Sequence, residues 1–454
     1  MPGIKLTQAA GEFSSSIRYQ DLPQIAIGTV RSGFCDAYAA MLAGRREPAV
    51  QTLQSFVQSH RNGGSVPCLL GTDRGTAETA ALIDATAIHA LDFDDYAFSN
   101  HPSAVLVPAI MSCAHSFDGD GRRMITAYCC GYEIWADLMR REPDHLHAKG
   151  WHPTAVLGPI GAAAAAAHML VLDPVQSTHA IALSASHAGG LMGNFGSMAK
   201  PYHAGLAAEA GVRAALLARS GFTAREDVLE SQTGLLAALS PMGNFDIGSE
   251  PEYGRGWLIE KLRLNFKKYP MVGASQRCID ALLSFIAANP VEPDDVVGIR
   301  AHVSDRHAKV MPFSEPQTPA EAKFSLHFAC AAAVRFGKVG LNEVSAAALA
   351  DPKLRDLMNR TSVVAGHDYD PDYPGAAPED FVDLALRDGS ELTTSRVRRA
   401  TGHADNPLSI DEAWRKFAEC ADWSGIAETA ARTLYDQLLA LENSQNAEFA
   451  ALDW

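Results

Sequence analysis

The 454-residue sequence predicts a mainly α protein, with a large all-helical domain and a smaller α+β domain inserted in it. Two observations carry this prediction. From residue 19 to about 258, alanine-rich segments repeat apolar residues at helical spacing, and such small side chains let helix axes approach closely. After Gly254 the period changes, and short alternating runs of strand type enter between helical segments. The boundaries follow as 1–261 and 400–454 for the two parts of the helical domain, and 262–399 for the α+β domain.

Each element has its own signal. Asp21-Leu-Pro23 opens a helix that runs through Val30, Phe34 and Tyr38, and Gly44 stops it. The stretch 76–90, with Leu82, Ile83 and Ile88, is a buried helix that carries His89 and Asp92 near its C-terminal end. Segments 108–116, 124–140, 161–172, 173–185 and 203–220 read as further helices. The run 156–172 is apolar enough to suggest a membrane span. It is mostly alanine and glycine, however, and contains Pro159 and His168, so it reads as a packed interior helix. In the second domain, 257–266 begins as a strand or mixed segment, while 295–303 and 381–386 alternate as strands. Arg387-Asp-Gly389 is a turn, and 392–397 is its partner strand. Helices are expected over 320–337 and 341–360, and a loop rich in Asp, Pro and Tyr over 368–378. Leu408-Ser-Ile-Asp-Glu412 opens a final helical region that returns to the first domain.

Bulk properties narrow the function. Hydrophobic residues at 47% and charged residues at 20% fit a soluble globular chain. A net charge of −15 argues against a nucleic-acid or anionic-membrane partner, although a few local cations can still hold an anionic substrate. The eight cysteines form no C-x-x-C pair, which points to a reducing compartment. The N-terminal stretch lacks a charged stub followed by an apolar core. The expectation is a cytoplasmic protein.

Two polar stretches inside this apolar sequence carry the chemistry. On a helix, His89, Asp92 and Tyr96 fall at i, i+3 and i+7, so they share one face, with Asp95 towards its edge. The bland alternative is a satisfied core histidine, with Asp94 and Asp95 at a solvated helix end. His101-Pro102 and His152-Pro-Thr154 sit in loops before apolar helices, where a side chain can be aimed across an anion-favouring N-terminus. Lys200 and His203 flank another helix start, and Lys267 and Lys268 stand beside aromatic residues where the second domain begins. No phosphate-loop, dinucleotide, H-E-x-x-H or G-x-S-x-G motif is present. His89 and Asp92 with a loop histidine could hold a divalent ion, which makes a metal-dependent hydrolase one alternative. Lysines in the same pocket would repel that ion, so no metal is expected.

In this order, 80–95, His101-Pro-Ser103, Gly150-Trp-His-Pro-Thr154, Lys200 with His203-Ala-Gly205, Lys267 with Tyr269-Pro270, Glu321-Ala-Lys-Phe-Ser325, and Gly402-His403 with Asn406-Pro-Leu-Ser409 resemble the MmgE/PrpD family. That family includes 2-methylcitrate dehydratases, cis-aconitate decarboxylases and iminodisuccinate epimerases. The resemblance implies a helical domain with an inserted α+β lid, a homodimer, no cofactor, and a small di- or tricarboxylic acid held between the lobes. It implies catalytic roles for Asp92, His101, His152, Lys200 and Lys267. Around them Tyr96, Tyr132, His203, Lys268, Gln276 and His327 are candidates for binding substrate. Val272 and Gln276 stand where the family keeps a histidine. Phe328, beside His327, stands where a tyrosine is common.

The implied chemistry is proton abstraction alpha to a carboxylate. His152 is the base or acid, Asp92 orients His101, and the lysines neutralise charge. Dehydration is the first expectation, with decarboxylation and epimerisation as alternatives. The departures also leave room for a non-catalytic binding homologue.

Overall fold

A computed structural model describes residues 5–60, 63–68, 73–144, 146–373 and 375–448. The first four residues of the N-terminal stretch and the last six of the 400–454 segment lie outside them. The N-terminal part runs through helices α1 (Leu6–Ser16), α2 (Gln24–Gly44), α3 (Pro48–His60), α4 (Ala77–His89), α5 (Pro102–Phe117) and α6 (Gly121–Arg141). It continues with α7 (Pro153–Met169), α8 (Pro174–Ala185), α9 (Ala199–Arg219), α10 (Leu235–Leu239) and α11 (Leu258–Leu262). A short ladder of β1 (Val66–Pro67) and β2 (Arg74–Gly75) precedes α4.

Polar caps start several of these helices. The Thr76 hydroxyl accepts the Thr79 N–H at α4, and Asp120 accepts that of Arg123 at α6. Asp173 and Gln176 cap α8 reciprocally. Helices α5 and α7 begin differently, each on a proline preceded by a histidine whose side chain makes no capping bond. Proline suits this position because its missing N–H would have no partner there. Both helices therefore start earlier than the apolar pattern placed them, at 102 rather than 108 and at 153 rather than 161. Each also continues through an internal proline. At Pro159 the lost bond leaves the Ala155 carbonyl free, and it accepts the N–H of Gly189 at 3.4 Å. That contact holds the segment before α9 against α7.

Helix α9 packs against both α4 and α7 at the centre. On α9, a Cβ at Gly205 would lie 2.6 Å from the Leu82 carbonyl oxygen and 2.3 Å from Thr86 Oγ1 of α4. Only glycine permits that approach. It brings the first turn of α9 against the last residue of α4. The apolar helix α7 is interior, with Ala162 through Ala167 buried. No helix among the described residues is long and apolar enough to cross a membrane.

A second hydrophobic core gathers residues from Tyr269 to Leu384, around Ile299, Phe328, Cys330 and Leu354. Its helices are α12 (Gln276–Ala288), α13 (Asp305–Val310), α14 (Pro319–Ala322), α15 (Leu326–Phe336), α16 (Ala346–Leu349) and α17 (Pro352–Asn359). Its strands are β3 (Val296–Ser304), β4 (Thr361–Gly366), β5 (Phe381–Leu386) and β6 (Glu391–Thr393), in the order β4-β3-β5-β6. β3 runs parallel to β4, with Ile299 opposite Thr361, and antiparallel to β5, with Ala301 opposite Val382.

Four further elements differ from expectation. The segment 257–266 holds the short helix α11, and only Asn265 then pairs as strand, with Tyr96. The single helices expected over 320–337 and 341–360 are both divided, because Ser325 and Asp351 cap new starts at α15 and α17. β6 ends at Thr393, and Val397 pairs separately with Asp380.

Helices α18 (Ile410–Trp423) and α19 (Glu428–Leu439) return to the first core through Phe417, Cys420, Leu434 and Leu438. Ser409 and Glu412 form the capping box that opens α18.

Candidate active site

The site is built where helix ends meet. His101 and His152 are the N-caps of α5 and α7, and Lys200 lies in the first turn of α9. The His101 N–H donates to Thr154 Oγ1 at 3.1 Å, which ties the first two starts together. The His152 N–H donates to the Gly190 carbonyl at 3.0 Å. Three N-termini converging favour anions and disfavour protonated imidazoles.

Helix α4 stops at His89, and Asp92 takes a left-handed φ of 51°. The shared helical face of His89, Asp92 and Tyr96 expected from spacing is therefore not formed. Such backbone in a non-glycine residue is costly and collects at functional sites. Here it turns the Asp92 carboxylate onto two ammoniums. Lys200 Nζ lies 2.5 Å from Asp92 Oδ1, and Lys267 Nζ lies 3.1 Å from Oδ2 while donating to the Asp92 carbonyl at 2.8 Å. Lysine is seldom this buried, yet Lys200 is 4% exposed and Lys267 1%.

Asp92 does not orient His101, as the resemblance implied; Asp94 does. Its Oδ2 lies 2.9 Å from Nδ1 of both His89 and His101. His101 Nδ1 also lies 2.9 Å from the Asp95 carbonyl. Acceptors on that side place the proton on Nδ1 in both rings, so each Nε2 carries a lone pair. His89 Nε2 then accepts from Lys200 Nζ at 2.7 Å. Asp94 and Asp95 are fully buried, which rules out the solvated helix end. His89 and Asp94 are thus site residues that sequence reasoning underrated, because a run of aspartates reads as solvated surface.

His152 Nδ1 and His203 Nδ1 lie 3.2 Å apart and share one proton. The His152 ring stacks 5.8 Å from His89 and packs edge-on to Phe195 at 5.0 Å. Phe195 meets Phe324 of the second lobe at 5.4 Å, and Lys200 Nζ lies 5.3 Å from each ring. The preceding residue, Lys323, reaches across to the Ala90 carbonyl at 3.0 Å. From behind, Lys416 holds the segment by donating to the Phe93 carbonyl at 2.7 Å and pairing with Asp36 at 2.6 Å. That pair borders a cavity of about 150 Å³ which receives none of the His101, His152 or Lys200 side chains.

Most of the remaining candidates fall elsewhere. The Tyr132 hydroxyl donates to the Arg263 carbonyl. Lys268 pairs with Glu412 at 3.1 Å. The Gln276 side-chain amide makes four bonds, accepting the N–H of Lys268 and Tyr269 and donating to the Tyr269 and Met271 carbonyls. It fixes the loop behind Lys267 and has no capacity left for substrate. His327 is half-buried on α15, and its Nδ1 meets no partner. Tyr96 touches Tyr373 of the second lobe at 3.3 Å.

Burial opposes the charge on Asp92, and Lys200 and Lys267 outweigh it, so the carboxyl is held below its usual range. Burial lowers Lys200, with Asp92 partly opposing. Burial lowers His152 strongly, helped by Lys200. His89 is pushed down to about 3 by burial, against the pull of Asp94. The site therefore holds neutral imidazoles beside ammoniums.

The consequence for stability has a definite sign. Imidazoles held neutral in the fold bind protons more readily when unfolded, so stability is complete above ~6.5 and falls as pH drops. His89 alone is expected to cost about 1.4 kcal/mol per pH unit below ~6.5, down to its folded value of about 3. Urea titrations between pH 8 and 4.5 measure this. A midpoint that stays level across that range would remove the neutral-imidazole description.

His89, Asp92, Asp94 and His101 place ligand atoms within 4.8 Å of one another, the composition of a metal centre. Each is already committed to a proton donor or carries its own proton: Lys200 on His89 and Asp92, two imidazole N–H groups facing Asp94. The donor set suits proton transfer better than a cation.

Neutral imidazoles and paired ammoniums thus lie together where two lobes meet, a set of groups suited to a lyase. Family models for the MmgE/PrpD N-terminal and C-terminal domains match residues 8–248 and 269–440, and the chain belongs to that family. Human cis-aconitate decarboxylase is 27% identical over 74% of this chain and 71% of its own length. A cis-aconitate decarboxylase-like protein of Aspergillus oryzae is 25% identical over 99% of this chain and 98% of its own. The cis-aconitate decarboxylase of Aspergillus terreus is 23% identical over 96% and 93%.

Proposed function

We propose that this lyase acts on a small di- or tricarboxylic acid by removing a proton alpha to a carboxylate, with loss of water from a hydroxy acid as the reaction. The observation that carries this reading is one carboxylate, Asp92, bracketed by two buried ammoniums beside a neutral imidazole pair. An ammonium has three donors. Lys200 spends two, on Asp92 and His89, which leaves one for a substrate carboxylate.

When the α-proton leaves, negative charge spreads onto that carboxylate as an enediolate. Fixed cations stabilise it most in a water-poor site. His152 accepts the proton, since a neutral imidazole has a lone pair to offer. The enediolate electrons then form the carbon–carbon double bond as the β carbon–oxygen bond breaks. The departing hydroxide takes the proton from the imidazolium and leaves as water.

A second reading is favoured by the names of the relatives matched over nearly the whole chain. In it a cis-aconitate-like acid loses carbon dioxide, and the carbanion left behind takes a proton that an active-site group replaces from solvent. Incubation with 2-methylcitrate, citrate and cis-aconitate, with products identified by mass, separates the two. Water loss from a hydroxy acid, unchanged by a chelator, is the expected result. Carbon dioxide from cis-aconitate overturns dehydration in favour of the second reading. Turnover that a chelator abolishes restores the hydrolase alternative.

A further inference from the structure

The second lobe lacks the histidine and tyrosine that the family resemblance calls for, with Val272 and Phe328 in those places. Phe328 is fully buried in the second core and faces no substrate. Yet a phenol does reach the catalytic segment from another position, with an imidazole packed against it.

Tyr96 stands four residues after Asp92. Its main chain pairs in both directions with Asn265 at 2.9 Å, two residues before Lys267. Its ring lies against Gly273, where a Cβ would come within 3.3 Å, next to Val272. From the loop between β4 and β5, Tyr373 brings its hydroxyl to 3.3 Å from that of Tyr96. The Tyr373 ring packs edge-on to His307 of α13 at 6.4 Å and to His403 at 5.3 Å.

His307 Nδ1 is shut off from solvent and has no partner. A buried polar atom left unmatched is unusual in a folded protein and calls for an explanation. Two guanidiniums beside Tyr373 are already engaged. Arg277 holds Asp380 by two bonds and two carbonyls besides, and Arg399 holds Asp370 at 2.6 Å. Burial keeps both phenols protonated and His307 neutral. Two phenols in contact share one hydrogen bond, so one O–H remains to be donated.

We propose that Tyr373, with Tyr96 and His307, forms the lid's half of the substrate pocket, an uncharged hydrogen-bonding subsite for a hydroxyl group on the acid whose carboxylate the lysines hold. Tyr373 is then a specificity-determining residue that replaces the missing lid groups from a different loop. This rests on the reading of Lys200 and Lys267 as carboxylate binders. The lysines set that an acid binds, and the phenols set which acid.

Calorimetric titration with two matched pairs, malate against succinate and citrate against tricarballylate, tests it, because each pair differs by one hydroxyl. The wild-type protein is expected to bind the hydroxy member at least about tenfold more tightly, since a site built around a hydroxyl rejects the analogue lacking it. In Tyr373→Phe, which keeps the ring contacts, the ratio falls to about threefold or less while the deoxy member binds unchanged. His307→Asn reports on the same ratio if Tyr373→Phe unfolds. Acids that bind, and lose binding in Lys200→Met, without any hydroxyl preference overturn this inference and leave the lysine reading intact. A preference that survives both substitutions overturns it as well. No binding of any acid to the wild-type protein overturns both.

Discussion

Lys200→Met is expected to lower kcat by about 10²–10³-fold, the loss typical of removing one preorganised charge stabiliser. Methionine preserves most of the volume between Phe195 and Phe324, so the loss reports the ammonium rather than a cavity. Stability falls too. Breaking a buried ion pair costs about 3–5 kcal/mol when the partner is stranded. Asp92 retains Lys267 at 3.1 Å, so the lower end of that range is expected. Asp92→Asn strands both ammoniums and is expected to cost more stability than Lys200→Met. Steady-state rates beside denaturant titrations check both halves. A Lys200→Met rate that falls only in proportion to the fraction unfolded would make Lys200 structural.

His152→Gln is expected to lower kcat by about 10²–10⁴-fold, the usual contribution of a positioned acid or base. Glutamine can keep the bond to His203 and packs in a similar space, so folding should survive. His203→Gln should cost less, because it removes the orienting partner and leaves the base. The pH profile distinguishes the two. Burial and Lys200 lower the His152 pKa, so the wild-type rate should hold through neutral pH and fall only well below ~6.5. A slope of the same shape surviving in His152→Gln would assign the base elsewhere, with His101 Nε2 as the next lone pair in reach.

Much of this site was legible in the sequence, for reasons that differ by residue. His101-Pro102 and His152-Pro153 announce imidazoles at helix starts, because proline marks the first helical position. Lys200 stood out as a cation inside an apolar neighbourhood. The change of hydrophobic period after Gly254 foretold the α+β part, and Asp380 and Thr394 still lie on that side of the chain. What stayed hidden depends on backbone conformation or tertiary pairing. Spacing placed Asp92 on a helical face, whereas its left-handed backbone swings it onto the lysines.

Nothing local marks Asp94 as the residue that orients two histidines, since both contacts arise only after α4 and α5 pack together. Tyr373 sat in a loop of aspartates and prolines, 277 residues from the phenol it meets. Lys268 and Gln276 were chosen for their place in the motif. The fold gives them to Glu412 and to the loop backbone instead.

The central claim is that this site removes a proton from carbon next to a carboxylate. Incubation in deuterated water with the acid that turns over, followed by mass and NMR analysis of recovered substrate, addresses it directly. The account predicts deuterium at the α-carbon with the wild-type protein, and almost none with His152→Gln or Lys200→Met. Turnover of that acid without α-deuterium, or equal exchange in both variants, would contradict it.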